Sequence, residues 1–88
     1  MKKYISYHDN GIKYEEFYQI DGKKEGKCTV WYANGEKELV GYFKKGKPCN
    51  IWMNWDEKGR YDWVDMDGVW AKEVFTLNSL KKEQTIFF

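Results

Sequence analysis

The chain has 88 residues, of which 33% are charged and 19% are aromatic, and its formal net charge is +1. A chain of this length suits one domain, which hides only about 60% of the surface that its unfolded form exposes, so its core is thin. The balanced charge argues against a dedicated nucleic-acid-binding protein, which usually carries a basic excess, and the plentiful apolar residues argue against disorder.

The sequence predicts no targeting or membrane segment. Tyr4 to Asp9, after Met1-Lys2-Lys3, is too short and too polar for a signal peptide, and no apolar run approaches the ~20 residues of a membrane span. The two cysteines, Cys28 and Cys49, are fewer than a small secreted domain stabilised by disulfides usually carries. We therefore expect a cytoplasmic protein with reduced thiols, and a single Cys28–Cys49 bridge is the alternative.

The sequence repeats itself at an offset of 24 residues, most clearly in its glycine and aromatic positions. Residues 22–45 align with residues 46–69, and the same frame extends upstream. The matching positions are Tyr7/Trp31/Trp55, Gly11/Gly35/Gly59, Gly22/Gly46 and Tyr18/Tyr42. Internal periodicity of this kind is the signature of repeat architectures. We expect units of about 1–21, 22–45 and 46–68, followed by a C-terminal cap, 69–88.

Short apolar runs between the turns predict strands near 3–8, 12–20, 27–33, 37–44, 51–56 and 60–66. The turns at one end are Asn10-Gly11, Asn34-Gly35 and Lys58-Gly59, and those at the other are Asp21-Gly22, Lys45-Gly46 and Asp67-Gly68. Glycine and asparagine tolerate the positive φ of tight hairpin turns, and such turns leave no room for crossover helices. The predicted fold is therefore all-β, an antiparallel β-hairpin repeat meander forming a curled single sheet.

Residues 69–88 break the period. The spacing of Trp70, Val74 and Leu77 suits one face of a helix, but Val74 to Leu77 could equally form an edge strand, so 70–84 stays open between the two. The closing Thr85-Ile86-Phe87-Phe88 is apolar enough to dock. We expect a short capping element that covers an edge or a face of the sheet, as terminal caps do in repeat proteins.

The best-formed unit resembles a known repeat. The segment 26–37, with its Trp31-Tyr32 pair and its Asn34-Gly35 turn, is followed by Gly41-Tyr42 and by Lys45-Gly46-Lys47. This pattern resembles the MORN (membrane occupation and recognition nexus) repeat, and more closely its variant in bacterial and viral proteins, some of them antitoxin-like. The match is good over 20–47, fair over 46–68 and partial over 4–22.

The third unit departs from that pattern. Asn50 stands where the repeat has its second glycine, Asp56 replaces the tyrosine of the aromatic pair, and Pro48-Cys49 interrupts the turn. These changes affect the expected turn geometry more than the strands. The resemblance implies a curled β-hairpin sheet with a scaffold or binding role and without catalytic residues.

Alternation along the strands predicts which aromatic residues share a face. Tyr7, Trp31 and Trp55 fall with Ile5, Thr29 and Met53. In the second strands, Tyr18, Tyr42 and Met66 fall with Tyr14, Val40 and Val64, and the opposite faces carry Phe17, Leu39, Phe43, Tyr61 and Trp63. Tryptophan and tyrosine dominate interface hot spots. We predict an aromatic surface that binds another protein through Tyr7, Trp31, Trp55 and Trp63. In the alternative interpretation, the tail covers the face of Tyr7, Trp31 and Trp55 and makes it the core.

The turns separate charge. One end gathers six lysines, and the other gathers Asp9, Glu36, Asp56 and Glu57. The lysines are Lys23, Lys24, Lys27, Lys44, Lys45 and Lys47. Such a cluster can meet anionic lipid head groups, and we keep weak peripheral membrane contact as an alternative function. Lysines at turns also commonly keep hairpin edges soluble, and Asp21 and Glu25 dilute this cluster.

The residues that could carry chemistry do not form a recognisable set. His8 lies beside Asp9 and near Ser6, but no third catalytic member is in view. The cysteines have no CxxC or histidine context. Asp65-Met66-Asp67-Gly68 resembles the start of a calcium loop but lacks the downstream glutamate. We therefore predict no catalytic residues, no metal site and no cofactor, and a homodimer formed through the sheet edges is possible.

Overall fold

The computed structural model describes residues 1–68, which form one antiparallel sheet and a single helical turn at 66–68. The strands are β1 (Lys2–Tyr7), β2 (Lys13–Ile20), β3 (Lys23–Lys24), β4 (Gly26–Trp31), β5 (Lys37–Lys44), β6 (Lys47–Trp55) and β7 (Tyr61–Asp65). Their order in the sheet is β1-β2-β4-β5-β6-β7, and the two-residue β3 extends the pairing of β2. The predicted all-β meander is confirmed, but β7 ends at Asp65, and Asp67-Gly68, predicted as a hairpin turn, belongs to the helical turn at 66–68. The predicted cap, 69–88, lies outside the described residues.

Two-residue turns close one end of the meander. Lys44 pairs with Lys47, so Lys45 and Gly46 alone connect β5 with β6, and their φ angles are 51° and 83°. Positive φ at both central residues defines the type I′ turn, whose twist matches that of the flanking strands. Asp21 and Gly22, with φ of 51° and 78°, make the same turn between β2 and β3. The period in the sequence is therefore also a period in the backbone.

Wider turns close the other end, and they are equally regular. His8 N donates to Ile12 O at 2.7 Å in the first hairpin, Tyr32 N to Glu36 O at 2.8 Å in the second, and Asp56 N to Arg60 O at 2.8 Å in the third. Each turn has a second hydrogen bond from its glycine N–H back to the carbonyl of its first residue. These corresponding bonds place Trp31 and Trp55, which precede the second and third turns, at equivalent positions.

The third hairpin lacks a β-bulge that the first two contain. The register shifts between Ser6 and Tyr7 and again between Val30 and Trp31, whereas β6 pairs with β7 without a shift. A bulge inserts one residue, so its absence turns β7 over relative to the corresponding strand β5.

This reversal corrects one prediction. Trp63 lies opposite Met53, and Val64 lies opposite Trp52. The expectation that Val64 shares a face with Val40 is therefore wrong. Tyr61 lies opposite Trp55, so Tyr61 and Trp63 occupy the face of Trp55 and not the opposite one.

Strand β6 begins at Lys47, earlier than the predicted start near residue 51, so Pro48 lies within the strand and opposite Phe43. The β5–β6 register shifts farther along, between Val40 and Tyr42. Asn50 there has a φ of 61°, and at the offset of the repeat it corresponds to Gly26, whose φ is 81°. Asparagine is among the few residues other than glycine that adopt this conformation routinely, so the third unit keeps the geometry without the glycine.

The two faces of the sheet differ in packing. One face, called the packed face here, holds the ring of Trp52 over Gly41, with Phe43 edge-on to Trp52 at 5.1 Å between centroids. The Trp52 Nε1–H donates to the carbonyls of Tyr42 (3.2 Å) and Cys49 (3.1 Å). Tyr4 stacks on Phe17 at 5.3 Å. These ring contacts pack the side chains of this face against one another.

The other face, called the aromatic face here, carries a row of cross-strand neighbours that runs from edge to edge. The row is Ile5, Glu16, Thr29, Val40, Met53 and Trp63, each directly opposite the next. Among the described residues, none of the large side chains is fully buried, and Thr29 at 5% and Cys28 at 3% exposure lie deepest, on opposite faces of β4. The described sheet is thus thin and exposes apolar surface on both sides.

Candidate interaction surface

The aromatic face has a second row of side chains beside the wide turns. Tyr7 pairs with Lys13, Trp31 with Lys37, and Trp55 with Tyr61. The Lys13 ammonium lies 5.5 Å from the centre of the Trp31 ring, so neighbouring hairpins also touch. Across the strands, aromatic and lysine side chains therefore alternate until the third hairpin, where an aromatic residue replaces the lysine.

The predicted binding residues differ in exposure. Tyr7 is 58% exposed and Trp63 is 60% exposed, whereas Trp31 and Trp55 are half-buried. Tyr61, at 64%, is the most exposed aromatic residue of this face, and the sequence analysis did not include it in the site. The four predicted residues do share one face, and Tyr61 and Trp63 extend it to the outer edge of β7.

The half-buried tryptophans are held through their backbone carbonyls. His8 Nε2 lies 2.7 Å from the Trp31 carbonyl, and the Tyr32 hydroxyl donates to the Trp55 carbonyl at 2.5 Å. His8 and Tyr32 occupy equivalent positions, so each hairpin reaches the tryptophan of the next in the same way. His8 therefore serves as a link between repeats, a role that the sequence analysis did not predict.

The third equivalent of His8 and Tyr32 is Asp56, which bonds within its own turn. Its carboxylate accepts the N–H groups of Lys58 and Arg60 at 2.9 Å and the Arg60 Nε–H at 2.8 Å. Desolvation raises the pKa of Asp56, but the hydrogen bonds from Arg60 and Lys58 and the charge of Arg60 lower it by more, so the pKa lies below its ordinary value.

Charge on the aromatic face is mostly positive near Trp31. Glu16 Oε1 lies 3.2 Å from Lys13 Nζ and 3.3 Å from Lys3 Nζ, so one carboxylate serves two ammonium groups. Desolvation raises the pKa of Glu16, yet the hydrogen bonds and charges of the two lysines lower it by more. With Lys37 opposite Trp31, the surface around that ring keeps an excess of cations.

The narrow turns bring several of the predicted lysines to one end of the sheet. Lys44 pairs with Lys47 beside the turn at Lys45, and the Gly46 N–H donates to the Lys24 carbonyl at 2.9 Å, which brings the two narrow turns together. Lys23 packs against Gly46. Lys27 lies farther along β4, opposite Tyr42.

Not all of these lysines are equally available. The Lys24 ammonium lies 4.6 Å from the Phe17 ring centre and 5.2 Å from that of Phe43, so it is already engaged in cation–π contacts on the packed face. Asp21 and Glu25 line the same surface hollow as Lys23 and Lys45. The cluster is therefore cationic with two acids inside it.

Two further carboxylates, those of Asp65 and Asp67, accept hydrogen bonds from backbone N–H groups. Asp65 Oδ1 accepts the Gly68 N–H at 3.2 Å, and Asp67 Oδ1 accepts the Asn50 N–H at 3.1 Å. Cys28 and Cys49 are free thiols. Burial raises the pKa of Cys28, although the nearby charge of Lys24 acts to lower it.

Within residues 1–68, no three histidine, cysteine or acidic side chains lie close enough together to bind a metal ion. In the same range, no helix has the length and apolar character to cross a bilayer.

Comparison of the chain with protein-family models, curated proteins and solved structures gives no significant match.

Proposed function

We propose that this protein is a non-catalytic interaction module of MORN-like hairpin repeats that binds another protein through its aromatic face. The observation that carries the proposal is the exposure of Tyr7, Tyr61 and Trp63 on the one face that also holds the lysine-flanked tryptophans. Tyrosine and tryptophan bring large contact areas at little conformational cost, which is why they recur at hot spots.

The charges of the aromatic face suggest the chemistry of the partner. Lys13 lies over Trp31, and Lys37 lies opposite it. A partner surface with apolar side chains flanked by carboxylates would satisfy both the rings and the ammonium groups. The sequence resemblance supports an antitoxin-like form of this function, in which the module covers the surface of a second protein.

The proposal is tested with the triple variant Tyr7→Ser/Tyr61→Ser/Trp63→Ser, used as bait in native lysate beside the wild-type chain. A matched control carries Ile12→Ser and Ile20→Ser, which also remove exposed apolar side chains. We expect a stoichiometric protein partner that the wild type and the control retain and the triple variant loses. Recovery of no such partner, or equal recovery by all three baits, contradicts the proposal.

A second candidate function is peripheral binding to anionic lipid head groups through the lysine end. The observation in its favour is the convergence of the two narrow turns, which brings Lys23 against Gly46 beside Lys45. Each lysine near an anionic membrane contributes about 1 kcal/mol.

Co-sedimentation with phosphatidylserine vesicles at low and high salt tests this candidate. We expect salt-sensitive binding that Lys23→Glu/Lys44→Glu/Lys45→Glu abolishes and that the control Lys37→Glu, at the opposite end of the sheet, retains. Binding that is equal on neutral vesicles, or that the triple variant retains, excludes it.

A further inference from the structure

The two edges of the described sheet are complementary in charge. The β1 edge begins with Lys2 and Lys3, and the β7 edge carries Asp62 and Asp65. All residues of both strands are exposed. Lysines on an edge strand commonly oppose pairing with another strand, but opposite charges placed across an antiparallel pair favour it.

The direction of the strands suits pairing between these two edges. Every neighbouring pair in the sheet is antiparallel, so β1 of a second copy is the strand that would follow β7 in the same sense as β4 follows β2 and β6 follows β5. In that orientation the carboxyl end of β7, with Asp65, faces the amino end of β1, with Lys3.

The repeat also fixes the register. Glu16 of β2 lies opposite Thr29 of β4, and Val40 of β5 lies opposite Met53 of β6. The second pair is the first pair displaced by one repeat of 24 residues. In the third unit Trp63 takes the place of Val40, because it lies opposite Met53 as Val40 lies opposite Thr29. In a continued sheet, the residue opposite Trp63 on the next strand is therefore the first-unit equivalent of Thr29 and Met53. That residue is Ile5 of the next copy.

We infer that copies of this chain associate head to tail, β7 of one pairing with β1 of the next, with Trp63 opposite Ile5. Strand β1 pairs with β2 without a shift from Lys2 to Ser6, unlike β6 with β5 between Val40 and Tyr42. Continued along β1 without a shift, this register sets Asp65 opposite Lys3, Val64 opposite Tyr4 and Tyr61 opposite Tyr7. The aromatic face of one copy thereby continues into that of the next.

Two-fold pairing of like edges is less favourable. A β7–β7 pair centred on Asp62 sets two aspartates against each other, and one centred on Trp63 or on Val64 leaves both Asp62 and Asp65 without a cationic partner. A β1–β1 pair brings two Lys2-Lys3 segments to one short interface. Like charges opposite each other are destabilising. Head-to-tail contacts also differ in their consequence, because they add further copies unless the ring closes, whereas a two-fold contact stops at the dimer.

The test reverses the charge at Lys3 and at Asp65, first singly and then at both positions together. Analytical ultracentrifugation of the full chain, from micromolar to millimolar, is expected to show weight-average mass rising past that of a dimer. Lys3→Glu and Asp65→Lys each place like charges across the contact, and each is expected to weaken association about tenfold or more. Because they also remove the Lys3–Glu16 ion pair and the Asp65 bond to the Gly68 N–H, urea unfolding shows that each variant is folded under the conditions of the association measurement. The double variant Lys3→Glu/Asp65→Lys restores the opposite charges and is expected to recover association.

Control variants and amide exchange make the result specific. Lys44→Glu and Glu36→Lys make the same changes of net charge beside turns between interior strands, away from both edges, and association is expected to persist in them. Hydrogen exchange is expected to slow in β1 and β7 as concentration rises. A mass that stays monomeric at every concentration, a limit at the dimer, or a double variant as weak as the singles overturns the inference.

Discussion

The indole of Trp52 covers Gly41 so closely that a Cβ atom at position 41 would overlap its six-membered ring. Gly41 is buried, and its φ is not positive, so space and not backbone conformation requires the glycine. The Trp52 Nε1–H bonds to two carbonyls hold the ring in this position. The contact joins β5 to β6 on the packed face.

We therefore expect Gly41→Ala to lower the free energy of unfolding by about 1–3 kcal/mol, because the indole must move out of its hydrogen bonds. Urea unfolding followed by tryptophan fluorescence measures the change. In the background of Trp52→Ala the same substitution is expected to cost much less, since the obstructing ring is gone. Equal costs in the two backgrounds would show that Gly41 is needed for another reason.

The Glu16 carboxylate between Lys3 and Lys13 makes stability depend on pH. Its folded-state pKa lies below the unfolded value, so the unfolded chain takes up the proton first as the pH falls. The ion pairs thus stabilise the fold above the unfolded pKa and are lost as the pH falls through the folded one. The pairs are partly exposed, so the expected contribution is at most about 1 kcal/mol.

Comparison of the wild type with Glu16→Gln in urea, at neutral pH and again in the acid range, measures this effect. The difference in unfolding free energy is expected to shrink as the pH falls through the range of carboxylate titration. Glu36→Gln, at the turn, is the control, because it removes a carboxylate and leaves the Lys3–Glu16 and Lys13–Glu16 ion pairs in place. A constant difference for Glu16→Gln at all pH values is the result that contradicts the assignment.

The Tyr32 hydroxyl links the second hairpin to the third through the carbonyl of Trp55. Removing the hydroxyl in Tyr32→Phe keeps the ring and leaves a partly buried carbonyl without this donor, so we expect a loss of about 1 kcal/mol in the free energy of unfolding. Tyr7→Phe removes a hydroxyl from an exposed ring and is expected to have little effect. An equal loss of unfolding free energy in Tyr32→Phe and Tyr7→Phe would show that the Tyr32 hydrogen bond between repeats does not stabilise the fold.

Much of the fold could be predicted from the sequence because its turns are encoded locally. Gly46 and Gly22 sit where positive φ is needed, and their spacing fixes the hairpins and the end of the sheet on which each turn lies. The equivalence of Trp31 and Trp55 follows from the same frame.

The missing bulge in the third hairpin could not be predicted in that way. A bulge changes the register without a characteristic composition, and the repeat frame aligned Val64 with Val40 as though both hairpins were alike. One signal in the sequence does distinguish the hairpins. Apolar and polar residues alternate from the start of β7 in Tyr61-Asp62-Trp63, whereas β5 starts with the two polar residues Lys37-Glu38, as a bulged strand can. The position of Trp52 over Gly41 was also missed, since it depends on the β5–β6 register shift.

Lys45 occupies the left-handed region in a type I′ turn, where its φ is 51°. A residue with a long side chain is strained there, and asparagine followed by glycine is the pair that this turn favours most. We expect Lys45→Asn to raise the free energy of unfolding by about 0.5–1 kcal/mol. Lys44→Asn, on the adjacent strand position, is the control and is expected to destabilise slightly. A loss of stability in Lys45→Asn measured by urea unfolding would contradict the turn assignment.

The two thiols are expected to react at very different rates. Cys28 is 3% exposed and burial raises its pKa, so both access and the thiolate fraction are reduced, whereas Cys49 is only half-buried. The thiolate is the nucleophile, and a buried thiol of raised pKa is correspondingly inert. With Ellman's reagent we expect one fast thiol in the native wild type, none in Cys49→Ser, and one in Cys28→Ser. In urea each single variant should show its remaining thiol at the same rate, because access to the reagent is then equal. Fast labelling of native Cys49→Ser would mean that β4 opens readily and that the centre of the sheet is less protected than its packing indicates.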